Sequence, residues 1–283
     1  MQVGTVEIAS EVTSAGPSGL DLTFDVQRSL SRKPNTATLQ IYNLNQTDRA
    51  RIHEQRHYPV KISCGYGEGA NTLIFSGDLR KATTSREGPD LITEVEAGDG
   101  ERVASTARAR VSFGRNASVR DVAIALVRAC GGTDALVPDS LRSLSTGQST
   151  YPGGVAVTGL AAVELGRLAE SCGYELSFQD GVPQLLSRGS ALAQSAILLS
   201  YDTGLISAPA RDNHGKVSAR CLIIPDLVPG RQVDFDASVT RDLGNGVSGE
   251  GGGVSGQMRV ESIKYSGSTF GADWYADIVC GEL

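Results

Sequence analysis

Five consecutive residues, His53-Glu54-Gln55-Arg56-His57, form a pattern that can do chemistry. In H-E-x-x-H a helix sets two imidazoles one turn apart as zinc ligands, and the glutamate activates the bound water. A zinc-dependent metallopeptidase of this kind needs a long, well-buried helix and a third protein ligand. Pro59 follows the second histidine closely, and the residue before a proline is pushed out of helical geometry. Arg56 places a cation beside the proposed dication, and Arg49 and Arg51 add to the positive field. The other histidine, His214, sits in the polar stretch Arg211-Asp212-Asn213-His214-Gly215, with no helical glutamate at a familiar spacing. The better reading is an exposed polar helix face, with no catalytic, cofactor-binding or metal residue assigned.

Other chemistry is weaker still. There is no G-x-S-x-G elbow, and Ser266-Gly267-Ser268 lies where a hairpin turn is expected. Thirty-two acidic residues guarantee carboxylate pairs somewhere, yet none has the apolar neighbours that raise a catalytic pKa. A peptidoglycan hydrolase is therefore a minor alternative. The five cysteines, Cys64, Cys130, Cys172, Cys221 and Cys280, form no C-x-x-C pair and read as unpaired, buried thiols. A net charge of −6 argues against a nucleic-acid reader. Arg102, Arg108, Arg110, Arg115 and Arg120 make a local basic stretch without interleaved aromatics, which reads as a solvated face. No apolar run is long enough to span a bilayer, and Met1 to Ser10 has no signal-peptide pattern. The expectation is a chain made in a cytoplasm.

The positioning elements are mainly strands. Thirty-four glycines and only 5% aromatics suit many turns and short strands. Thr36 to Asn43 alternates, with Ala37, Leu39 and Ile41 on one side. Asn45 is placed to cap a helix from about Gln46 to His57, which Pro59 ends. Strands are predicted over Val60–Gly65, Leu73–Gly77 and Leu91–Ala97. From about residue 101 the period changes. Ser118 caps a helix ending at Gly131-Gly132, and Thr158 caps another ending at Gly173. Tyr174–Gln179 and Val182–Ser187 then form a hairpin about Asp180-Gly181. Beyond 194, Val217–Ile224 and Arg231–Ala237 alternate about Pro229-Gly230, a type II turn. The segment 241–257 carries seven glycines and reads as a flexible loop.

The C-terminal segment is the most telling. Met258–Tyr265 and Asp273–Cys280 alternate strictly about a Ser/Gly turn, and Trp274, the only tryptophan, opens the second strand. The run GQMRVESIKYSGSTFGADWYADIVCGEL (Gly256 to Leu283) resembles the closing hairpin of baseplate hub proteins from contractile-tailed bacteriophages. Three further segments match that family in order. LDLTFDVQRSLSRKPNTATLQIYNLNQTDRARI (Leu20 to Ile52) is similar to its opening, and Gly159 to Ser187 to its small α/β insertion. LSYDTGLISAPARDNHGKVSARCLIIPDLVPGRQVDFDAS (Leu199 to Ser238) is similar to its "LLxPxlxPGxxV" segment. The excursion Gly244 to Gly253 departs from the family, where other members are often shorter.

The resemblance implies a mainly β (α+β) fold with two tail-tube-like β-barrels and an inserted α/β domain. The corresponding boundaries are 1–100, 101–193 and 194–283. It implies a non-enzymatic virion protein of the tail baseplate, assembled in the host cytoplasm without membrane insertion. Three subunits form a ring between the hexameric tail tube, or its initiator, and the trimeric central spike, alongside other baseplate proteins. DNA passes through the ring without specific binding. The spike is then a separate protein, since nothing resembling it follows Leu283. Whether the two barrels exchange strands stays open at this level.

Overall fold

The computed structural model describes residues 1–13, 16–54, 58–66, 71–224, 226–236 and 255–283. Residues 241–254 of the glycine-rich segment, and Gln55 to His57, lie outside the described residues. Residues 255–257 do not form a loop, because they begin a strand.

The first unit is β with one helix. Short strands β1 (Gln2–Val3) and β2 (Val6–Glu7) precede a small hairpin, β3 (Ser10–Thr13) with β4 (Gly16–Gly19). Then come β5 (Leu22–Ser29), β6 (Thr36–Tyr42), helix α1 (Gln46–His53), β7 (Pro59–Cys64), β8 (Thr72–Glu87) and β9 (Asp90–Gly98). Alternate residues of β6 are buried, as its sequence predicts: Ala37, Leu39 and Ile41 face the core. The Asn45 carboxamide oxygen caps α1 by accepting from the Asp48 amide at 2.9 Å. The helix ends at His53 rather than His57. Strand β8 runs ten residues past the expected Gly77. It pairs with β7 up to Asp78 and with β9 from Asp78 onward, through a bulge between Leu79 and Lys81. Gly77 sits at the change of neighbours, where a Cβ would stand 2.6 Å from the Gly98 carbonyl oxygen. A strand that switches partners at a bulge turns a sheet over on itself.

The middle of the chain has a core of its own. It comprises α2 (Glu101–Thr106), β10 (Arg108–Phe113), β11 (Ala117–Ser118), α3 (Val119–Ala129), β12 (Thr150–Tyr151), β13 (Val155–Leu160), α4 (Ala161–Ser171), β14 (Tyr174–Gln179) and β15 (Val182–Ser187). Ser118 caps α3 through the Asp121 amide at 3.0 Å, as expected. Thr158 does not cap α4. It lies in β13 opposite Arg110, and Leu160 is the N-cap residue. Val122, Leu126, Leu165 and Leu168 from the helices pack on Tyr174, Leu176 and Leu185 of the hairpin.

The last unit returns to β: β16 (Ile197–Leu199), β17 (Ala210–Arg211), β18 (Val217–Cys221), β19 (Gln232–Asp236), β20 (Ser255–Ser268) and β21 (Trp274–Glu282). It joins the first unit in one 13-stranded sheet, ordered β17-β18-β21-β20-β5-β6-β9-β8-β7-β1-β2, with β19 on β20 and β16 on β19. The seam is β20 against β5, with Tyr265 opposite Val26. Apolar residues of both units form a single core that includes Val26, Leu39, Val95, Ile263, Tyr265 and Ile278. At about 1.5–3 kcal/mol for each large side chain buried, this shared core is the main stabilising term.

The two units repeat one arrangement. In the first, β6, β9, β8 and β7 lie side by side, and β8 carries the bulge. In the second, β18, β21, β20 and β19 lie side by side, and β20 carries a bulge between Val260 and Ser262. Aligned on the bulges, Ala82 opposite Val95 matches Ile263 opposite Ile278, and Asp78 opposite Gly98 matches Arg259 opposite Gly281.

Candidate functional surface

The H-E-x-x-H stretch does not present a metal centre among the described residues. His53 stands at the end of an eight-residue helix, and its Nε2 lies 2.8 Å from Thr84 Oγ1 on β8. Glu54 caps the helix C-terminus, and His57 lies outside the described residues. No three His, Cys, Asp or Glu side chains cluster to hold a metal among the described residues. His214 is exposed in the β17–β18 turn, where its amide donates to Asp212 Oδ1 at 2.8 Å. All five cysteines are free, and four are buried as expected, but Cys172 is only partly so. Burial pushes Cys64 and Cys221 up to about 12 and Cys130 up to about 11, which removes the thiolate a nucleophile needs. No described helix is long and apolar enough to cross a membrane.

The sheet instead offers a broad polar face. Along β18, β21, β20, β5, β6 and β9 one face is buried and the other is largely polar, and the exposed second half of β8 continues that polar face. A band crosses the middle of this face. Arg220 binds Asp277 bidentately, at 2.7 and 3.0 Å, and its guanidinium lies 3.8 Å over the Tyr275 ring. Lys264, opposite Asp277 on β20, reaches Asp25 on β5 at 2.8 Å. That hydrogen bond and the charge of Asp25 hold the Lys264 ammonium above its usual range. Gln40 bridges Thr23 and Glu94, at 3.3 and 3.4 Å, and Lys81 faces Glu96 at 3.5 Å. The band thus sets three cations, Arg220, Lys264 and Lys81, against four carboxylates, Asp277, Asp25, Glu94 and Glu96. Each cation has a carboxylate neighbour, so no bare positive patch is offered to a phosphate.

A second polar cluster fixes the α/β module on the sheet. Arg28, 3% exposed, donates to the Ile74 carbonyl at 2.9 Å and pairs with Asp180 at 2.7 Å. Asn35, 2% exposed, donates to Asp99 at 3.0 Å, the Phe178 carbonyl at 2.8 Å and Gln179 at 3.1 Å. Its own carboxamide oxygen accepts from the Ser29 amide at 2.9 Å. Asp99 accepts from the Asp180 and Gly181 amides. Burial raises its pKa, against the lowering by those donors. A raised carboxyl can mark an acid catalyst; here it faces donors on all sides and is 1% exposed, so it is a joint rather than a reaction centre. Pro34-Asn35 and Asp180-Gly181 both read as turns from sequence, and nothing local revealed that the two turns meet. Of the basic stretch, Arg102, Arg108, Arg110 and Arg115 are exposed as expected, whereas Arg120 is half-buried, donating to the Pro138 carbonyl at 2.7 Å and pairing with Asp139 at 3.0 Å.

No protein-family model matches the chain, and no curated protein does. Solved structures do. A tail protein from Neisseria meningitidis MC58 superposes with a TM-score of 0.57 at 9% identity, over 96% of this chain and 95% of that one. The 43 kDa tail protein of prophage MuSo2 from Shewanella oneidensis gives 0.55 at 10% identity, over 97% and 95%. An E. coli component of the type VI secretion system, with structural similarity to the T4 bacteriophage tail proteins gp27 and gp5, gives 0.54 at 10% identity. That match covers 100% of this chain and 76% of the other. The fold is therefore that of phage tail and hub-like proteins, mainly β with an α/β module.

Proposed function

We propose that this protein is the structural baseplate hub of a contractile phage tail, a non-enzymatic component of the virion. Three copies form a ring that joins the sixfold tail tube, or its initiator, to a threefold central spike, in contact with other baseplate proteins. Residues 1–100 and 194–283 supply two tube-like barrels per copy, and 101–193 the inserted module. Three chains of two units present six to the tube and three to the spike.

The observation that carries this reading is the repeat itself: one bulged four-strand arrangement occurs twice, in a chain whose whole length has a tail-protein fold. The polar band supports a wall along which DNA slides, because its cations are already engaged by carboxylates. Native mass spectrometry of the purified protein tests the ring. The expected species has three times the 29.6 kDa chain mass. A monomer persisting at high protein concentration refutes it. Clearing of cell-wall material by the pure protein refutes the non-enzymatic part.

A further inference from the structure

The repeat also says what an open sheet edge is for. In the second unit, the stretch of β20 after its bulge, Ser262–Ser268, has β21 on one side and β5 of the first unit on the other. In the first unit, the matching stretch of β8, Lys81–Glu87, has β9 on one side and no strand on the other among the described residues. Its residues Thr83 to Glu87 are exposed. A long edge strand of this kind leaves backbone donors and acceptors ready to pair with another chain. The strand that could fill it is also present. Strand β5 lies outside β6, with Asp25 opposite Thr38 and Val26 opposite Ala37. In the second unit β17 lies outside β18, with Ala210 opposite Ser218 and Arg211 opposite Val217. By the repeat, Ala210 stands for Asp25 and Arg211 for Val26. Both are exposed, and the outer edge of β17 is free among the described residues.

We infer that the Lys81–Glu87 edge of one copy pairs with the β17 edge of a second copy, repeating between chains the β20–β5 seam made within one. This rests on the ring proposed above, and it specifies the contact between copies. The seam inside the chain supplies the register. Ser266 lies opposite Asp25 and Tyr265 opposite Val26, and alignment on the bulges makes Ser85 the counterpart of Ser266 and Thr84 that of Tyr265. Ser85 therefore lies opposite Ala210 of the second copy, antiparallel, and Thr84 opposite Arg211. The two faces agree with this match: Thr83 is exposed where Lys264 is exposed, and Thr84 turns toward Thr93 at 3.2 Å, on the side where Tyr265 is buried. The contact is head-to-tail, so it propagates around a ring instead of closing a two-fold dimer. Both strands keep polar side chains at the contact, and the backbone ladder supplies the attraction.

Mixing a Ser85→Cys chain with an Ala210→Cys chain under mild oxidation tests the register. Directly opposed residues of an antiparallel pair are about 4.5–5.5 Å apart at Cα, within disulfide reach. A Lys81→Cys chain is the control, since four residues displace it by about 13 Å along the strand. All chains also carry Cys172→Ser, since Cys172 is only partly buried, and the remaining native thiols, Cys64, Cys130, Cys221 and Cys280, are buried and give little background. The expected result is cross-linked Ser85→Cys with Ala210→Cys at roughly tenfold or more over the control pair. A threefold assembly by native mass without that excess overturns the edge pairing and leaves the ring standing. A monomer without cross-links overturns both. Cross-links in a species that is not threefold support the pairing and refute the threefold ring.

Discussion

If the polar band lines a DNA channel, as proposed, removing two of its carboxylates should turn a wall along which DNA slides into one that holds it. The perturbation is Asp25→Asn with Asp277→Asn. It frees Lys264 and Arg220, now engaged at 2.8 and 2.7 Å. These pairs are between about a third and half exposed, where such bridges contribute only about 0–1 kcal/mol, so the variant should fold. Per copy, the band moves from three cations against four carboxylates to three against two. In a ring of three, about six cations become available to phosphates. At a slope near 0.9 per neutralised phosphate, log K then falls by about 5 per tenfold rise in salt, or roughly a thousandfold between 50 and 200 mM. Anisotropy of a labelled duplex reads this directly. The wild-type ring should show no salt-dependent binding, and the variant should bind at 50 mM and release at 200 mM. Adding Lys264→Gln to the variant should reduce the slope. Salt-sensitive binding by the wild-type protein, or a silent variant that still forms the ring, refutes the assignment of this face to the bore.

Three further outcomes follow from named groups. Asn35→Ala strands the Ser29 amide, the Phe178 carbonyl and a lobe of Asp99 in a buried joint; at the lower end of about 1–3 kcal/mol for each unsatisfied group, a loss of about 3–5 kcal/mol is expected in the unfolding free energy from urea titration, and a loss under about 1 kcal/mol contradicts the joint. Metal analysis of tag-free protein should find less than one zinc per chain, and His53→Ala should leave both metal content and stability nearly unchanged; stoichiometric zinc lost in that variant reverses the reading. Iodoacetamide at pH 8 should leave Cys64, Cys130 and Cys221 unlabelled until denaturant is added, since burial pushes these thiols up to about 11–12; rapid labelling of the folded chain contradicts their burial.

What was legible from sequence depended on whether the signal was local. Strand β6 and the β20–β21 hairpin alternate because one face is buried and the other is not, so Leu39 and Ile263 announce themselves. Caps such as Asn45 and Ser118 act within three residues and were legible for the same reason. The second half of β8 was not. Lys81 to Glu87 is largely exposed, which removes the apolar alternation that marks a strand. Thr158 misled because a threonine before an apolar helix is an ordinary cap, while its backbone was committed to pairing β13 with β10. The helix of the H-E-x-x-H stretch stops at His53, four residues short of the expected His57. The polar band left a trace in ESIKYSG and WYADIVC, where charged residues alternate with buried ones, but which charge meets which is set by register across strands. Asn35 and Asp180 are remote in sequence, and only packing brings them together.

The two joints of the chain bear on why one subunit carries both units. A ring of six equivalent units needs each rotated from the last by a sixth of a turn, and a loose linkage inside the chain would spread that angle. Here the offset is held twice. The β20–β5 seam makes the sheet continuous, and the α/β module braces the same position in both units. Asp78, just before the bulge in β8, faces Arg102 at 3.8 Å, while its counterpart Arg259 in β20 binds Glu175 at 3.1 Å. Arg102 and Glu175 both belong to the module, so one unit with its own core contacts both bulged strands with opposite charges. Arg259 is nearly buried there, so its contact resists exchange with water more than the exposed Arg102 pair does. An angle fixed within the chain can be repeated between chains only if the contact between chains uses the same register. The Lys81–Glu87 edge, matched residue for residue to the strand that already makes that seam, is where such a contact would form.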